Sequence, residues 1–353
     1  MKKWLKVALC ILLAVVLLVG GYVAYVFIDY HRLGDMTLTP THNADTAESG
    51  TVYTMISYNI GFGAYESDYG FFMDGGTESR AWSKERLTKN LTAISTFLQE
   101  QDADFYLLQE VDTGATRTYQ VDERAYFTEA LSGMSWVYCQ NYDSPYLMYP
   151  LRKPHGASHA GLMTFSTADI AAANRVELPI EGGFMKLLDL DRCYSVSRIP
   201  VSGSKELVLY NLHLSAYTSD GTIATEQLKL LLADMQAEYE SGNWCVAGGD
   251  FNKDLLGDSA AWFGEADQSY SWAQPIPAET FAGVDVSLEA PLDENDPVPS
   301  CRNADGPYHE GQYVLTVDGF LTTPNVTVSQ AIVLDTGFAW SDHNPVKMTF
   351  TLS

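Results

Sequence analysis

The chain has 353 residues, enough for one large domain or two of medium size, and 46% of them are hydrophobic. Its charge is strongly unbalanced, because 45 Asp and Glu face 21 Lys and Arg and give a formal net charge of −24 at pH 7. A negative field of this size repels polyanions and offers no basic stripe for phosphates. The composition therefore argues against duplex nucleic acid as a partner.

The first predicted element is a membrane-spanning helix. Residues 7–28 contain neither a charge nor a proline, and a run of this length can cross a bilayer core. Lys2, Lys3 and Lys6 precede it, so the positive-inside rule predicts a cytoplasmic tail over 1–6 and an extracytoplasmic remainder. A cleaved secretory signal is the alternative, but the run is long for a signal core and lacks an A-x-A site. The sequence favours an uncleaved, single-pass anchor in the cell membrane.

A polar segment and one domain are predicted after this helix. Residues 29–50 are assigned to a juxtamembrane linker, because the polar stretch 33–50 lacks periodicity. Strand-like and helix-like runs then alternate over 51–353. The clearest helix covers 84–101, with Ser83 placed as its N-cap. Residues 264–312 have no lasting period, which is typical of a functional or mobile loop segment.

Polar side chains occur in or just after several extended apolar runs, where α/β sheets place ligand groups. In chain order they are Asn59, Glu110, Asn211 with His213, Asp250 with Asn252, Asp318, and Asp342 with His343. Each has a structural explanation when taken alone, such as a turn for Asn59 or a cap for Asp342. Six such clusters in one chain favour a shared site.

The ordered series NIG, QE, NxHL, GDFN, VDGF and SDHNPV resembles the endonuclease/exonuclease/phosphatase superfamily, the deoxyribonuclease I-like metal-dependent phosphodiesterases. The resemblance covers roughly residues 52–352, and GDFN and SDH are its most specific motifs. It implies an α/β fold, a four-layered sandwich of two mixed sheets packed face to face with helices outside. It also implies a site at one end of the sheets.

The resemblance further implies a metal site. Glu110 is expected to be the principal Mg²⁺ ligand, with Mn²⁺ as an alternative ion, because hard cations prefer carboxylate oxygens. Asn59 and Asp342 are expected to complete the metal environment directly or through water.

Catalytic roles follow from the same resemblance. Asp250 is expected to orient and deprotonate the attacking water, and Asn252 to donate to a phosphate oxygen. Asp318 is expected to fix the tautomer of His343 and favour its charged form. Two further residues complete the predicted site: His213 as a candidate acid for the leaving group, and Asn211 as an additional phosphate contact.

Three features stay open. A phosphate contact and a solvated loop suit His155 and His159 equally well. The aromatic run 270–281 either touches lipid, stacks on a base or packs on the domain. The remaining cysteines can pair in an exported domain, although buried free thiols suit the strand-like runs around two of them better; these cysteines are Cys139, Cys193, Cys245 and Cys301.

Together these patterns predict a membrane-anchored, extracytoplasmic, Mg²⁺-dependent phosphoester hydrolase. The acidic surface and the anchor favour a small phosphodiester or a phospholipid head group as its substrate. An extracellular nuclease is an alternative function. A catalytically silent binding module of the same fold is another.

Overall fold

The computed structural model describes residues 3–182, 190–203, 205–216, 222–264 and 272–353. The helices are α1 (Lys3–Asp29), α2 (Lys84–Gln101), α3 (Arg124–Ala130), α4 (Thr222–Glu240) and α5 (Ser259–Phe263). The strands are β1 (Met36–Leu38), β2 (Val52–Asn59), β3 (Phe105–Asp112), β4 (Ser135–Asp143), β5 (His159–Ser166), β6 (Ala172–Glu177), β7 (Cys193–Val201), β8 (Lys205–His213), β9 (Trp244–Asp250), β10 (Ser287–Glu289), β11 (Cys301–Arg302), β12 (Val314–Leu315), β13 (Asp318–Thr322), β14 (Val326–Val333) and β15 (Val346–Leu352).

Two large sheets form the body of the domain. One has the order β14-β15-β2-β3-β5-β4 and the other the order β1-β6-β7-β8-β9-β13-β10. Among the strands that the structure describes, β2 with β3 and β8 with β9 are the parallel pairs, and the other pairs are antiparallel. Both sheets are therefore mixed, and each has a parallel pair at its centre.

The central strands are apolar on both faces, and this explains the layers. Along β3, Phe105 and Leu107 pack between the two sheets, while Tyr106 and Leu108 pack against α2 and α3. Successive side chains of a strand point to opposite faces, so such a strand must be covered on both sides. Strand β8 alternates in the same way between the inter-sheet core and α4. The predicted four-layered α/β sandwich is confirmed.

Helix α2 begins where the sequence predicts. The Ser83 side chain accepts a hydrogen bond from the backbone N–H of Arg86 at 3.1 Å, which is the expected N-cap contact. Leu87, Leu91 and Ile94 are fully buried on the sheet. Capping and an apolar face thus fix this outer layer without any functional demand.

The segment 29–50, predicted as a juxtamembrane linker, packs on the domain over part of its length. Residues 36–38 form strand β1, which pairs with β6 at the edge of the seven-stranded sheet. The buried guanidinium of Arg175 donates to the carbonyls of Leu33 and Gly34 at 2.6 and 2.9 Å. Farther along, the Thr41 N–H donates to the carbonyl of Trp136. The segment lacks its own periodicity because its partners come from distant parts of the chain.

Two further expectations concern cysteines and the first helix. All five cysteines are free, and the four after α1 are buried. The sulfurs of Cys139 and Cys193 lie 3.6 Å apart between the two sheets. Within the described residues, α1 is the one helix long and apolar enough to span a membrane, as judged from length and composition alone.

Candidate active site

The ends of the central strands open into a cavity of about 200 Å³. Seven of the nine predicted site residues line it: Asn59, Glu110, His213, Asp250, Asn252, Asp342 and His343. They come from both sheets and from the loops that follow β9 and precede β15. The packing of the two sheets therefore brings together residues that are far apart in the chain.

Asp250, the last residue of β9, lies at the centre of this group. One carboxylate oxygen accepts from the Asn252 N–H at 2.8 Å, and the other accepts from the Asn59 amide at 3.0 Å. The second oxygen also lies 3.5 Å from Nε2 of His213 and 3.8 Å from Nε2 of His343. Burial raises the pKa of Asp250 to about 7, since the nearby Asp318 adds to the effect and His343 only partly opposes it.

His343 and Asp318 form a buried pair behind Asp250. Nδ1 of His343 lies 2.8 Å from a carboxylate oxygen of Asp318, and the same oxygen accepts from the Ser300 hydroxyl at 2.7 Å. Burial opposes the charged form of His343, but Asp318 and Cys301 outweigh burial and raise its pKa. Asp318 thus leaves Nε2 of His343 facing Asp250 and the cavity, as the sequence predicts.

His213 has a different environment. Among the residues that the structure describes, its Nδ1 has no hydrogen-bond partner. Burial lowers its pKa well below the usual range, with Arg192 and His343 adding to the effect. A neutral imidazole is poorly suited to the predicted role of leaving-group acid.

Glu110 enters the cavity at an irregular point of β3. The pairing of β3 with β5 shifts between Leu108 and Val111, and Glu110 itself has a φ of 57°. Non-glycine residues rarely adopt this conformation, and a bulge re-aims a side chain in this way. Burial raises the pKa of Glu110, and the neighbouring Asp342 raises it further against the opposing effect of Arg117.

The donor set fits a hard divalent cation. Glu110 and Asp342 both line the cavity, and burial raises the pKa of Asp342 as well. Two acidic oxygen donors facing one small cavity repel each other unless a cation or a proton intervenes. A second group, Asp250, Asp318 and His343, has ligand atoms within 4.8 Å of one another. In that group the 2.8 Å contact of His343 with Asp318 already occupies two of the ligand atoms.

The side-chain amide of Asn59 lies between the carboxylates of Asp250 and Glu110. Its Nδ2 lies 3.0 Å from Asp250 and 3.4 Å from Glu110, and it donates to both carboxylates. Its Oδ1 accepts from the N–H of Gly61 at 3.0 Å. The amide oxygen keeps a second lone pair, so it remains available to a metal directly or through water, the two modes that the sequence predicts.

Asn211, predicted as an additional phosphate contact, is not among the residues that line the cavity. Its Nδ2 donates to the carbonyls of Met163 and Leu108 at 2.9 and 3.2 Å, and its Oδ1 accepts from Gln109 at 2.8 Å. The residue is fully buried and links β8 of one sheet to β3 and β5 of the other. Satisfying buried polar groups between the sheets explains this position.

Basic residues that the sequence reading missed also line the cavity: Arg117, Arg192 and Arg302. Arg117 donates to both oxygens of Asp112 and lies 3.9 Å from the ring centroid of Phe62. The site thus carries local positive charge inside a strongly acidic chain. No motif spacing marks these arginines, since each is placed by its own local contacts.

The rest of the cavity wall is largely aromatic and apolar, and includes Tyr65, Phe71, Met73, Tyr142 and Trp272. Trp272 comes from the aromatic run 270–281, whose first two residues lie outside the described ranges. His155 lines the cavity too, whereas His159 pairs with Asp143 at 3.1 Å away from it. Trp272 packs on the domain beside Cys301 and Leu315, and its place in the cavity wall also leaves stacking on a base open.

Comparison with known proteins agrees with the fold. A search of curated proteins finds no match. Among solved structures, an endonuclease/exonuclease/phosphatase from Beutenbergia cavernae is 17% identical, with 86% of this chain and 72% of that chain covered and a TM-score of 0.54. A family member from Bacteroides vulgatus is 14% identical, with 86% and 100% covered and a TM-score of 0.53.

A third similar structure is ANGEL2, described as a 2',3'-cyclic phosphatase, in complex with adenosine-2',3'-vanadate. It is 17% identical, with 90% of this chain and 99% of that chain covered and a TM-score of 0.54. The family model for the endonuclease/exonuclease/phosphatase family matches residues 56–343, from β2 to the residue that pairs with Asp318. The chain therefore belongs to the endonuclease/exonuclease/phosphatase family of metal-dependent phosphoric ester hydrolases.

Proposed function

We propose that the chain is a membrane-anchored, Mg²⁺-dependent phosphodiesterase whose catalytic domain lies outside the cell. Its substrate is a small phosphodiester or a phospholipid head group. The observation that carries this proposal is the convergence of Asp250, His343 and Glu110 on one small cavity that also holds buried arginines. Helix α1 supports the anchor, and Lys2, Lys3 and Lys6 before it support the orientation.

The residues divide the work of an in-line displacement. Asp250 is held by Asn59 and the Asn252 N–H, so a free lone pair can orient a water and accept its proton. Nδ2 of Asn252 donates one hydrogen to the Leu214 carbonyl, and its second hydrogen can be donated to a phosphate oxygen. Cation binding falls to Glu110 and Asp342. A divalent cation held by these two carboxylates would supply positive charge against the charge that develops on the phosphoryl group.

In this proposal the residue that protonates the leaving group is His343, and not His213 as the sequence predicts. Asp318 orients His343 and stabilises its protonated form, whereas His213 has no carboxylate on its Nδ1 among the described residues. The three arginines in the wall strengthen the binding of an anionic substrate that the overall charge would repel.

Hydrolysis of bis-p-nitrophenyl phosphate by the full chain in nonionic detergent tests the function. We expect turnover that needs Mg²⁺ and is abolished by a chelator. Asp250→Ala and His343→Ala should each lower turnover by roughly 10²–10⁴-fold, because each removes a group that moves a proton.

His309→Ala is the matched control, since His309 is exposed and does not line the cavity. Circular dichroism of the variants checks that the fold is kept. Turnover without metal, or full activity in both cavity variants, would contradict the proposed mechanism. Preferential cleavage of DNA at physiological salt would replace the proposed substrate class with the nuclease alternative.

A further inference from the structure

A short loop beside α1 exposes apolar side chains for which the catalytic site gives no reason. Residues 146–151 lead into a hairpin-like turn that the bridge between Leu147 and Gly156 closes, and they form the tip segment next to α1. Met148, Tyr149 and Leu151 on this tip are 45%, 68% and 82% exposed. None of them lines the catalytic cavity. Adjacent exposed apolar side chains of this kind mark an interaction surface.

The tip is fastened to α1 before that helix ends. The Tyr22 hydroxyl donates to the carbonyl of Tyr146 at 3.1 Å and accepts from the N–H of Met148 at 3.0 Å. The Tyr25 hydroxyl accepts from the Tyr146 N–H and donates to Asp29. Tyr22 lies seven positions and Tyr25 four positions before Asp29, so these contacts lie about 6–10 Å before the end of α1.

If α1 spans a bilayer, the contacts between the tip and α1 lie at the edge of that bilayer. The apolar run of α1 continues to Ile28, and tyrosines are enriched at the level of lipid head groups. Amphipathic helices in the interface bury their apolar face about 5–10 Å into the boundary between head groups and acyl chains, and we expect a similar depth for this tip. Arg152, exposed directly after Leu151, is then placed among the lipid phosphates.

The tip is also connected to the catalytic cavity. The ring of Tyr149 packs on Phe72 with a centroid distance of 5.7 Å, and Phe72 lies between two residues of the cavity wall, Phe71 and Met73. Phe72 also contacts the ring of His155, another wall residue. One rim of the cavity is therefore built on the loop that runs beside α1.

We propose that residues 146–151 insert into the outer leaflet beside α1 and hold the catalytic cavity against the bilayer, where a phosphoester in a lipid head group reaches it. This inference rests on the proposed membrane anchor and narrows the proposed substrate to one presented by the bilayer. The occupant of the exposed apolar surface is lipid, because the surface continues the apolar flank of α1 and lies level with it.

Depth-dependent fluorescence quenching tests the insertion. The full chain carrying Cys10→Ala and Leu151→Cys is labelled with an environment-sensitive dye and placed in phosphatidylcholine nanodiscs. The control carries the dye on Leu230→Cys, a residue of α4 that is 49% exposed. We expect lipids with a nitroxide near the head group to quench the dye at position 151 and to leave the dye at position 230 unquenched.

The absence of quenching at position 151 overturns the proposal. So does a blue shift there that grows with protein concentration, because it assigns the surface to a second copy of the chain. This readout does not depend on turnover, so it stays decisive if the proposed hydrolase activity itself fails.

Turnover of two substrates tests the consequence for catalysis. The double variant Met148→Gln/Leu151→Gln should hydrolyse soluble bis-p-nitrophenyl phosphate like the wild type and a lipid phosphodiester in the nanodisc about tenfold more slowly. Leu230→Gln should leave both rates unchanged. Equal loss on both substrates, or no hydrolysis of the lipid by an active wild type, overturns the head-group part of the proposal.

Discussion

His155 is a buried histidine whose two ring nitrogens both have protein partners. Nδ1 lies 2.8 Å from the Ser79 carbonyl and Nε2 lies 3.3 Å from the Ser158 hydroxyl. The first contact requires an N–H donor and the second suits a neutral acceptor nitrogen. Burial lowers the pKa of His155 to about 3, with Arg117 and Arg80 adding to the effect. The folded chain therefore holds this ring uncharged.

That environment predicts an acid-sensitive contribution to stability. The folded pKa of about 3 lies below the unfolded value of about 6.5, so the contribution is complete above pH 6.5 and is lost as the pH falls toward 3. Between pH 6.5 and 5, His155 should cost the wild type roughly 2 kcal/mol of unfolding free energy. Denaturant unfolding at both pH values should show a drop smaller by this amount in His155→Gln.

The exposed His309 provides the matched control, since His309→Gln should leave the pH dependence as in the wild type. An equal pH dependence in His155→Gln and the wild type would show that this ring is not kept neutral by the fold.

Sequence reasoning brought most of the predicted site residues to one cavity, because spacing along a strand reveals which face a side chain occupies. Asn211 and His213 are two residues apart on β8, so their side chains point to the same face, toward the other sheet. Spacing does not reveal depth, however. His213 lies at the strand end and borders the cavity, whereas Asn211 lies two residues deeper and is enclosed between the sheets. Arg117 was missed because two hydrogen bonds to Asp112 position it, and no sequence pattern indicates that contact.

At the level of elements, the end of β9 depends on the close approach of its neighbour β8. Gly249 has a φ of 150°, and a Cβ built there would lie 2.0 Å from the carbonyl oxygen of Leu212. The preceding Gly248 faces Leu107 of the other sheet and Phe320 instead. Neighbouring strand and sheet atoms therefore explain why both positions are glycine.

This packing predicts unequal effects of two glycine substitutions. Gly249→Ala should lower the free energy of unfolding by roughly 3–5 kcal/mol, because backbone strain and overpacking add. Gly133→Ala should cost about 1–2 kcal/mol, since Gly133 has a φ of 97° but no atom within 4 Å of the added Cβ. Urea unfolding measures both. Equal losses would mean that the conformation of the glycine matters and the approach of β8 does not.

The helices and strands that the sequence predicts have local sequence patterns, whereas strand β1, which was missed, has none. Strands with apolar residues on both faces and a capped helix such as α2 contain their signals within their own residues. Strand β1 has three residues and is held by β6 and by the guanidinium of Arg175. Its structure depends on contacts more than a hundred residues away, which a reading of local periodicity cannot contain.

On the scale of the whole molecule, the net charge of −24 means that acidic side chains on the folded surface repel one another and destabilise the folded state. Raising NaCl from about 10 mM to 150 mM shortens the screening length from about 30 Å to 8 Å. We expect the Tm of the full chain in nonionic detergent to rise by about 2–4 °C, which corresponds to roughly 1 kcal/mol. Glycerol at equal osmolality is the control. A Tm that falls with salt would show that ion pairs such as Arg198 with Glu206 outweigh the repulsion.

The Arg175 contacts also determine how freely the catalytic domain can move relative to α1. A flexible tether over residues 29–50 would have an end-to-end distance of about 25 Å and would let the cavity sample many heights and tilts. Strand β1 and the guanidinium of Arg175 remove that freedom by fixing residues 33–38 to the domain. These contacts restrict the movement of the domain relative to α1, so the fold sets the distance from α1 to the catalytic centre.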